Sequence, residues 1–285
     1  MTAQAVGSQS HFGRKGHGPI MAGHLHTARS QCLSVSELDY GLRMIDMQSC
    51  GSLAACIVEC IQSSGGMHVL PDGYFRALKK QCEARGMLLL VDEAQTGIGR
   101  CGDLAAANHE GIVPDILTLS KTLGNGIPLS AVVTRNEINA VCAERDYLFY
   151  TTHINDPLPA AVGAKVLEIV FRDNLVERAR DLGLVLHGAL KGMQTRYVFI
   201  GDVRCRRLMA GIEIVKDKAS KEPALELAKR IGDRAYELGI WANLSSHPSF
   251  GGSFRIAPPI TITEEHLKEG RAILEQAFEE FAEKI

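Results

Sequence analysis

No two cysteines in this chain have the C-x-x-C spacing of a zinc or redox site. The eight cysteines (Cys32, Cys50, Cys56, Cys60, Cys82, Cys101, Cys142 and Cys205) are scattered, several on apolar stretches where a free thiol behaves as a small hydrophobe. Neither a disulfide nor zinc is expected. No apolar run approaches the roughly 18 residues of a membrane span, and no signal-peptide hydrophobic region opens the chain. A formal net charge of -2 leaves no footprint for nucleic acid. Internal repeats and low-complexity segments are also missing. Acidic residues are absent before Glu37, so residues 1–33, polar and rich in glycine and histidine, have the composition of a mitochondrial transit peptide. His24 and His26 lack a third ligand and fit a solvated loop. What remains is ordinary: 285 residues, 46% hydrophobic and 22% charged, as in a soluble cytoplasmic protein, with the mitochondrial address left open.

The informative stretch runs from Met87 to Thr134. Met87-Leu88-Leu89-Leu90-Val91 is an unbroken apolar run that stops at Asp92, and Ile116-Leu117-Thr118-Leu119 is another that stops at Ser120-Lys121. Short apolar runs bounded by turn residues suit strands covered on both faces of a mostly parallel sheet. Ligands of such sheets sit beyond the carboxyl ends of the strands, where Asp92 and Lys121 both fall.

An acid and an amine at one sheet edge match the two ends of pyridoxal phosphate. The amine can condense with the aldehyde, and the carboxylate can hold the ring nitrogen protonated. An Asp beside a fixed cation typically shifts by about 1 to 3 pKa units, or roughly 1.4 to 4 kcal/mol, enough to set that protonation state. Taken singly, an Asp at a strand end is more often a turn former or cap, and a Ser-Lys pair is weak evidence. Gly97-Ile98-Gly99-Arg100-Cys101-Gly102 also satisfies the dinucleotide pattern G-x-G-x-x-G. A Rossmann turn needs its first glycine directly after the strand, however, and here five residues, two of them acidic, intervene.

Periodicity organises the rest. A helix capped by Ser36 carries Leu38, Leu42 and Ile45; a strand over Leu53 to Val58 ends at Glu59; the turn Ser63-Ser64-Gly65-Gly66 follows. A helix opened by Pro71-Asp72-Gly73 buries Tyr74, Leu78 and Cys82, which completes a βαβ succession. After the strand Ala131 to Thr134 come helices over Glu137 to Glu144 and from Pro157 through Val170. The remainder alternates helix and strand: a helix over Leu175 to Met193, strands at Val198 to Ile200 and Leu208 to Val215, a helix from Pro223 to Leu238, and short strands at Ile240 to Asn243 and Ser253 to Ile256. The last helix is capped by Thr263 and buries Leu267, Leu274, Ala277, Phe278 and Phe281.

Leu89-Leu90-Val91-Asp92-Glu93-Ala94-Gln95-Thr96-Gly97-Ile98-Gly99-Arg100, then Pro114 through Lys121, then Gly124-Asn125-Gly126-Ile127-Pro128-Leu129, resemble the class III pyridoxal-phosphate aminotransferases. Tyr147 through Ala161, Ile200-Gly201-Asp202-Val203-Arg204 and Phe254 through Pro259 are most similar to the 2,2-dialkylglycine decarboxylase branch. Ordinary members have Gly-Gly-Asn-Pro-Leu where this chain has Ile154-Asn155-Asp156-Pro157-Leu158.

The resemblance implies an α/β chain of the fold type I transferase class. A large cofactor-binding domain with a mostly parallel sheet would occupy 1–173, and a small α+β domain 174–285. Met1-Thr2 and Gly13-Arg14-Lys15-Gly16 look like the segment that follows the aromatic stacked on the cofactor ring, so the family's N-terminal part would be lacking. The resemblance further implies Lys121 as Schiff-base lysine and proton carrier, Asp92 at the pyridine nitrogen and Gln95 beside the ring hydroxyl. Thr152 would hold the phosphate of a neighbouring subunit's cofactor in a homodimer or higher oligomer, Arg255 the substrate carboxylate. Glu59 would orient Arg255, Ser64 would line the substrate pocket, and the oxygens of Thr152 and Asp156 are candidates for an alkali cation. Each has a plainer role as turn former, cap or surface residue. Amino acid and oxo acid substrates follow, with decarboxylation-dependent transamination as the reaction. A second reading is a catalytically deficient relative that keeps weak cofactor binding or dimerisation. Where the family has Arg-Gly-Arg-Gly-Leu, this chain has Arg204-Cys205-Arg206-Arg207-Leu208, and a positive φ at either replaced glycine would strain the small domain.

Overall fold

In the computed structural model, residues 34–247 and 251–282 are described. The sequence expectations for His24, His26, Cys32 and the Gly13 to Gly16 stretch lie outside them. Helix α1 (Val35–Gln48) is capped by Ser34, not Ser36: Ser34 is extended, and its hydroxyl accepts from the Glu37 amide at 3.2 Å. Strand β1 (Ala55–Glu59) is followed by the short hairpin β2 (Ile61–Gln62) and β3 (His68–Val69). Helix α2 (Tyr74–Ala84) buries Phe75, Leu78 and Cys82, and leads to β4 (Leu88–Asp92). Next come β5 (Ile116–Leu119), β6 (Ala131–Thr134), α3 (Asn136–Glu144) and α4 (Pro157–Arg172), the last opened by Pro157 where the missing N–H costs nothing.

These strands form one sheet in the order β1-β4-β5-β6. β1, β4 and β5 are parallel and β6 is antiparallel to β5, but only β4 has fully buried residues, Leu89 and Val91; β1 is exposed at Ala55 and Ile57 and β5 is half-buried, so the strands are not all covered on both faces as expected. The registers set Glu59 opposite Asp92 and Asp92 opposite Thr118, so three polar residues stand side by side at the carboxyl ends of three parallel strands.

Beyond α5 (Leu175–Arg196), strands β7 (Ile200–Arg206) and β8 (Met209–Ile214), helix α6 (Leu225–Glu237), strands β9 (Asn243–His247) and β10 (Gly251–Ile256), and helix α7 (Glu264–Ala282) complete the described chain. The second sheet is antiparallel throughout, in the order β7-β8-β10-β9. Its first strand lies further along than the periodicity suggested, because β7 is apolar on one face only. Val203, Ile212, Ile214 and Phe254 are buried on that face under the helices. Arg204, Glu213, Ser253 and Arg255 occupy the other face through the period of two.

The buried face is closed by α7, whose five expected core residues are all buried and whose cap is Thr263, Oγ1 accepting from the His266 amide at 3.1 Å. Phe278 meets Phe199 and Tyr197 edge-on at 5.8 and 5.6 Å. Truncating such a buried phenylalanine costs about 3 to 5 kcal/mol.

Two features bring the polar face of the second sheet to the strand ends of the first. The 63–67 turn lies on β8 so closely that a Cβ on Gly211 would sit 2.6 Å from Cβ of Met67. Arg100, in the turn after β4, donates from Nη1 to the carbonyls of Leu208 at 3.2 Å and Pro258 at 2.7 Å. Of the two replaced glycines, Cys205 is an ordinary strand residue, while Arg207 has φ +56 at the β7–β8 turn and bears the strain alone.

Candidate active site

Asp92 ends β4 half-buried. Its Oδ1 accepts from the Ala94 amide at 2.9 Å and from Oγ1 of Thr118 at 3.1 Å. No described residue donates to Oδ2. Lys121 follows β5 by two residues and opens a short 3-10 turn with φ +48, a conformation costly for a residue with a Cβ. It is exposed, and no hydrogen bond or ion pair engages its Nζ among the described residues.

Gln95, three residues past Asp92, has its side-chain oxygen fixed twice. Ser63 Oγ donates to it at 2.9 Å and Arg255 Nη2 at 2.5 Å. Since an arginine can only donate, the atom facing it is the amide oxygen, and Nε2 is the donor that Gln95 presents elsewhere. Arg255 Nη2 also reaches Ser63 Oγ at 2.9 Å, while its buried Nε has no partner among the described residues. Glu59 makes none of these bonds. It shares their charge environment: burial first, then the Asp92 carboxylate, push its carboxyl above the usual range, and a hydrogen bond from the Ser63 backbone amide, then Lys121 and Arg255, oppose that rise.

Asp92, Gln95, Lys121, Arg255 and Glu59 are thus gathered at one place. Ser64 is exposed at the adjoining turn, its carbonyl accepting from Ser245 Oγ at 3.1 Å. Thr152 and Asp156 are not joined to the group by any hydrogen bond or ion pair among the described residues. Both lie at an exposed turn where Asp156 Oδ2 pairs with Nδ1 of His153 at 2.8 Å. No cluster of three or more His, Cys, Asp or Glu fit for a metal occurs among the described residues.

Two participants escaped the sequence. Ser63 could not be told from its neighbour Ser64 by pattern. Thr118, by contrast, is the one polar residue inside an apolar strand run, a signal that was there to be used. Glu93, beside Asp92, is 1% exposed and structural: it accepts from the Ala107 amide at 2.8 Å and from the hydroxyl of Thr96.

A carboxylate with one oxygen to spare, an amine just past the next strand end and a nearby amide donor are groups of the kind that pyridoxal phosphate can engage. The family model for class III aminotransferases matches residues 8–278. The chain belongs to the class III aminotransferases. It is 47% identical over 276 residues to an uncharacterized aminotransferase of Schizosaccharomyces pombe, a match covering 93% of this chain and 62% of that one. It is 40% identical over 231 residues to the leucine/methionine racemase of Thermococcus litoralis, covering 81% and 51%. A crystal structure of an amine transaminase from an uncultivated Pseudomonas species, in its PLP-bound form, superposes with a TM-score of 0.82 at 28% identity, covering 93% of this chain and 63% of that one. The chain thus spans about half to three fifths of the length of these curated relatives. Class III aminotransferases depend on pyridoxal phosphate, and the residues at this site fit that cofactor.

Proposed function

We propose that this site carries out amino-group transfer between an amino acid and an oxo acid, with decarboxylation of α,α-dialkyl amino acids as the specific reaction. The observation that carries the reading is the Glu59–Asp92–Thr118 row, with Lys121 beyond it and Arg255 facing it from the second sheet. When bound, the cofactor supplies a ring that accepts an electron pair from the substrate's α-carbon. Asp92, oriented by Thr118 and the Ala94 amide, holds the ring nitrogen protonated. Gln95 donates from Nε2 to the phenolic oxygen, and Lys121 anchors the aldehyde and moves protons. Arg255 takes the substrate carboxylate, a pairing suited to a guanidinium and not to an ammonium; Ser64 lines the pocket beside it.

Thr152 serves the phosphate in a second copy of the chain. In support, Tyr147, Leu148, Phe149 and Tyr150, just before it, are 60 to 83% exposed, an apolar stretch that a homodimer would cover. The oxygens of Thr152 and Asp156 take an alkali cation there.

Supplied with 2-aminoisobutyrate and pyruvate, the enzyme should release carbon dioxide and form acetone and alanine, at rates that depend on the alkali ion. Transamination of amino acids bearing an α-proton, with 2-aminoisobutyrate inert, would leave an ordinary aminotransferase. A racemase is the second reading, supported by the 40% and 37% identities to the leucine/methionine and alanine/serine racemases. It requires loss of optical activity from L-leucine or L-alanine without an oxo acid. Failure of the chain to hold the cofactor at all would favour the deficient relative.

A further inference from the structure

A guanidinium offers a carboxylate two bidentate edges, Nε with Nη2 and Nη1 with Nη2. Both include Nη2. In Arg255 that nitrogen already donates to Ser63 Oγ at 2.9 Å and to Gln95 Oε1 at 2.5 Å, two acceptors themselves 2.9 Å apart. Nε, buried and without a described acceptor, is the unused half of one edge. A carboxylate that takes either edge of Arg255 therefore competes with these two acceptors at Nη2. Ser63 is the one that yields. It is fully buried on a turn held by its own backbone carbonyl, which accepts from the Gly66 and Met67 amides at 3.2 and 3.1 Å, and its hydroxyl keeps a bond to Gln95 after losing the arginine.

We propose that Ser63 is a specificity-determining latch: by occupying an Nη2 proton of Arg255 it sets the threshold a substrate carboxylate must exceed. Removing the latch leaves Gln95 held by Arg255 Nη2 and takes away one of the two acceptors that compete there with the incoming carboxylate. The inference rests on the role given to Arg255 above, and its sign is opposite to that of a residue that merely props the arginine in place.

The test uses the full chain and lactate, a carboxylate with no amine to react. Calorimetric titration should show Ser63→Ala binding lactate about tenfold more tightly than the parent, the scale of one hydrogen bond to a charged group. Arg255→Lys should lose most of the affinity. Melting curves check that Ser63→Ala, a small change at a site whose turn is held by backbone, stays folded. On the cofactor-loaded protein, the visible absorption followed during titration with isopropylamine, which has no carboxylate, should give the same affinity for Ser63→Ala and the parent. Weaker or unchanged lactate binding in Ser63→Ala overturns the latch, as does lactate binding that ignores Arg255→Lys. A chain that never acquires visible absorption defeats the proposed function instead, and the lactate arm still decides the latch, because all three side chains belong to the protein.

Discussion

Glu59 stands directly opposite Asp92 across the β1–β4 register, two carboxyl groups side by side at the strand ends. Burial and then Asp92 raise the Glu59 carboxyl above its ordinary value. A raised folded-state pKa contributes stability that is fully present below the unfolded value and lost as pH rises through the folded one. Glu59→Gln removes that loss. Melting temperatures measured against pH should coincide for variant and parent in acid, and diverge in the variant's favour as pH climbs through the raised value. Parallel curves would mean that Glu59 is not held in this way.

Lys121 combines a chemical requirement with a backbone one. Its φ of +48 suits glycine better than alanine, so Lys121→Gly should fold at least as well as Lys121→Ala. Both should lose the amine that borohydride would trap with the cofactor. Peptide mapping of the reduced protein should find the label at Lys121, and label on another lysine would overturn the assignment.

How much of this was legible depended on whether the residues involved carried a pattern of their own. Asp92 and Lys121 could be located at strand ends because each follows a mainly apolar run, and α7 because its five buried positions keep a helical period over many residues. β7 was misplaced because Arg204 and Arg206 alternate with apolar residues on a sheet with one polar face, and two arginines in three positions look like a loop. The antiparallel direction of β6 leaves no trace in Ala131-Val132-Val133-Thr134, since side chains alternate between the two faces in the same way in either direction. Ser63 was passed over for Ser64 because only the turn geometry decides which hydroxyl faces Gln95 and Arg255.

Asp115 precedes β5 and is 5% exposed. Its carboxylate accepts from Lys79 Nζ at 2.7 Å, the Leu89 amide at 2.8 Å and Arg135 Nη2 at 2.7 Å. Burial works to raise its pKa, but these donors together hold it below the usual carboxylate value. The stability it contributes is present above the unfolded pKa and lost as pH falls through the folded one. Asp115→Ala leaves the Leu89 amide and the partly buried Lys79 without their acceptor, while exposed Arg135 returns to water. A loss of about 3 kcal/mol is expected by denaturant titration near neutral pH, narrowing in acid. A loss below about 1 kcal/mol would mean that water replaces the carboxylate at both donors.

Arg100 reaches from the turn after β4 to the carbonyls of Leu208 and Pro258, the latter three residues beyond Arg255. Burial pulls its pKa below the usual arginine value, yet it remains the charged donor that ties β10 to the strand ends carrying Asp92 and Lys121. Arg100→Met keeps much of the side chain's apolar length and deletes the donors, leaving two carbonyls unpaired at a cost of about 2 to 4 kcal/mol. Because the tie runs to the segment bearing Arg255, and Lys121 and Asp92 stand on other strands, the kinetic defect should fall on substrate capture. KM for a carboxylate-bearing amino acid should rise about tenfold while kcat changes little, and the absorption of the bound cofactor should stay that of the parent. A fall in kcat with KM unchanged would place Arg100 with the proton-moving groups and not with the carboxylate clamp.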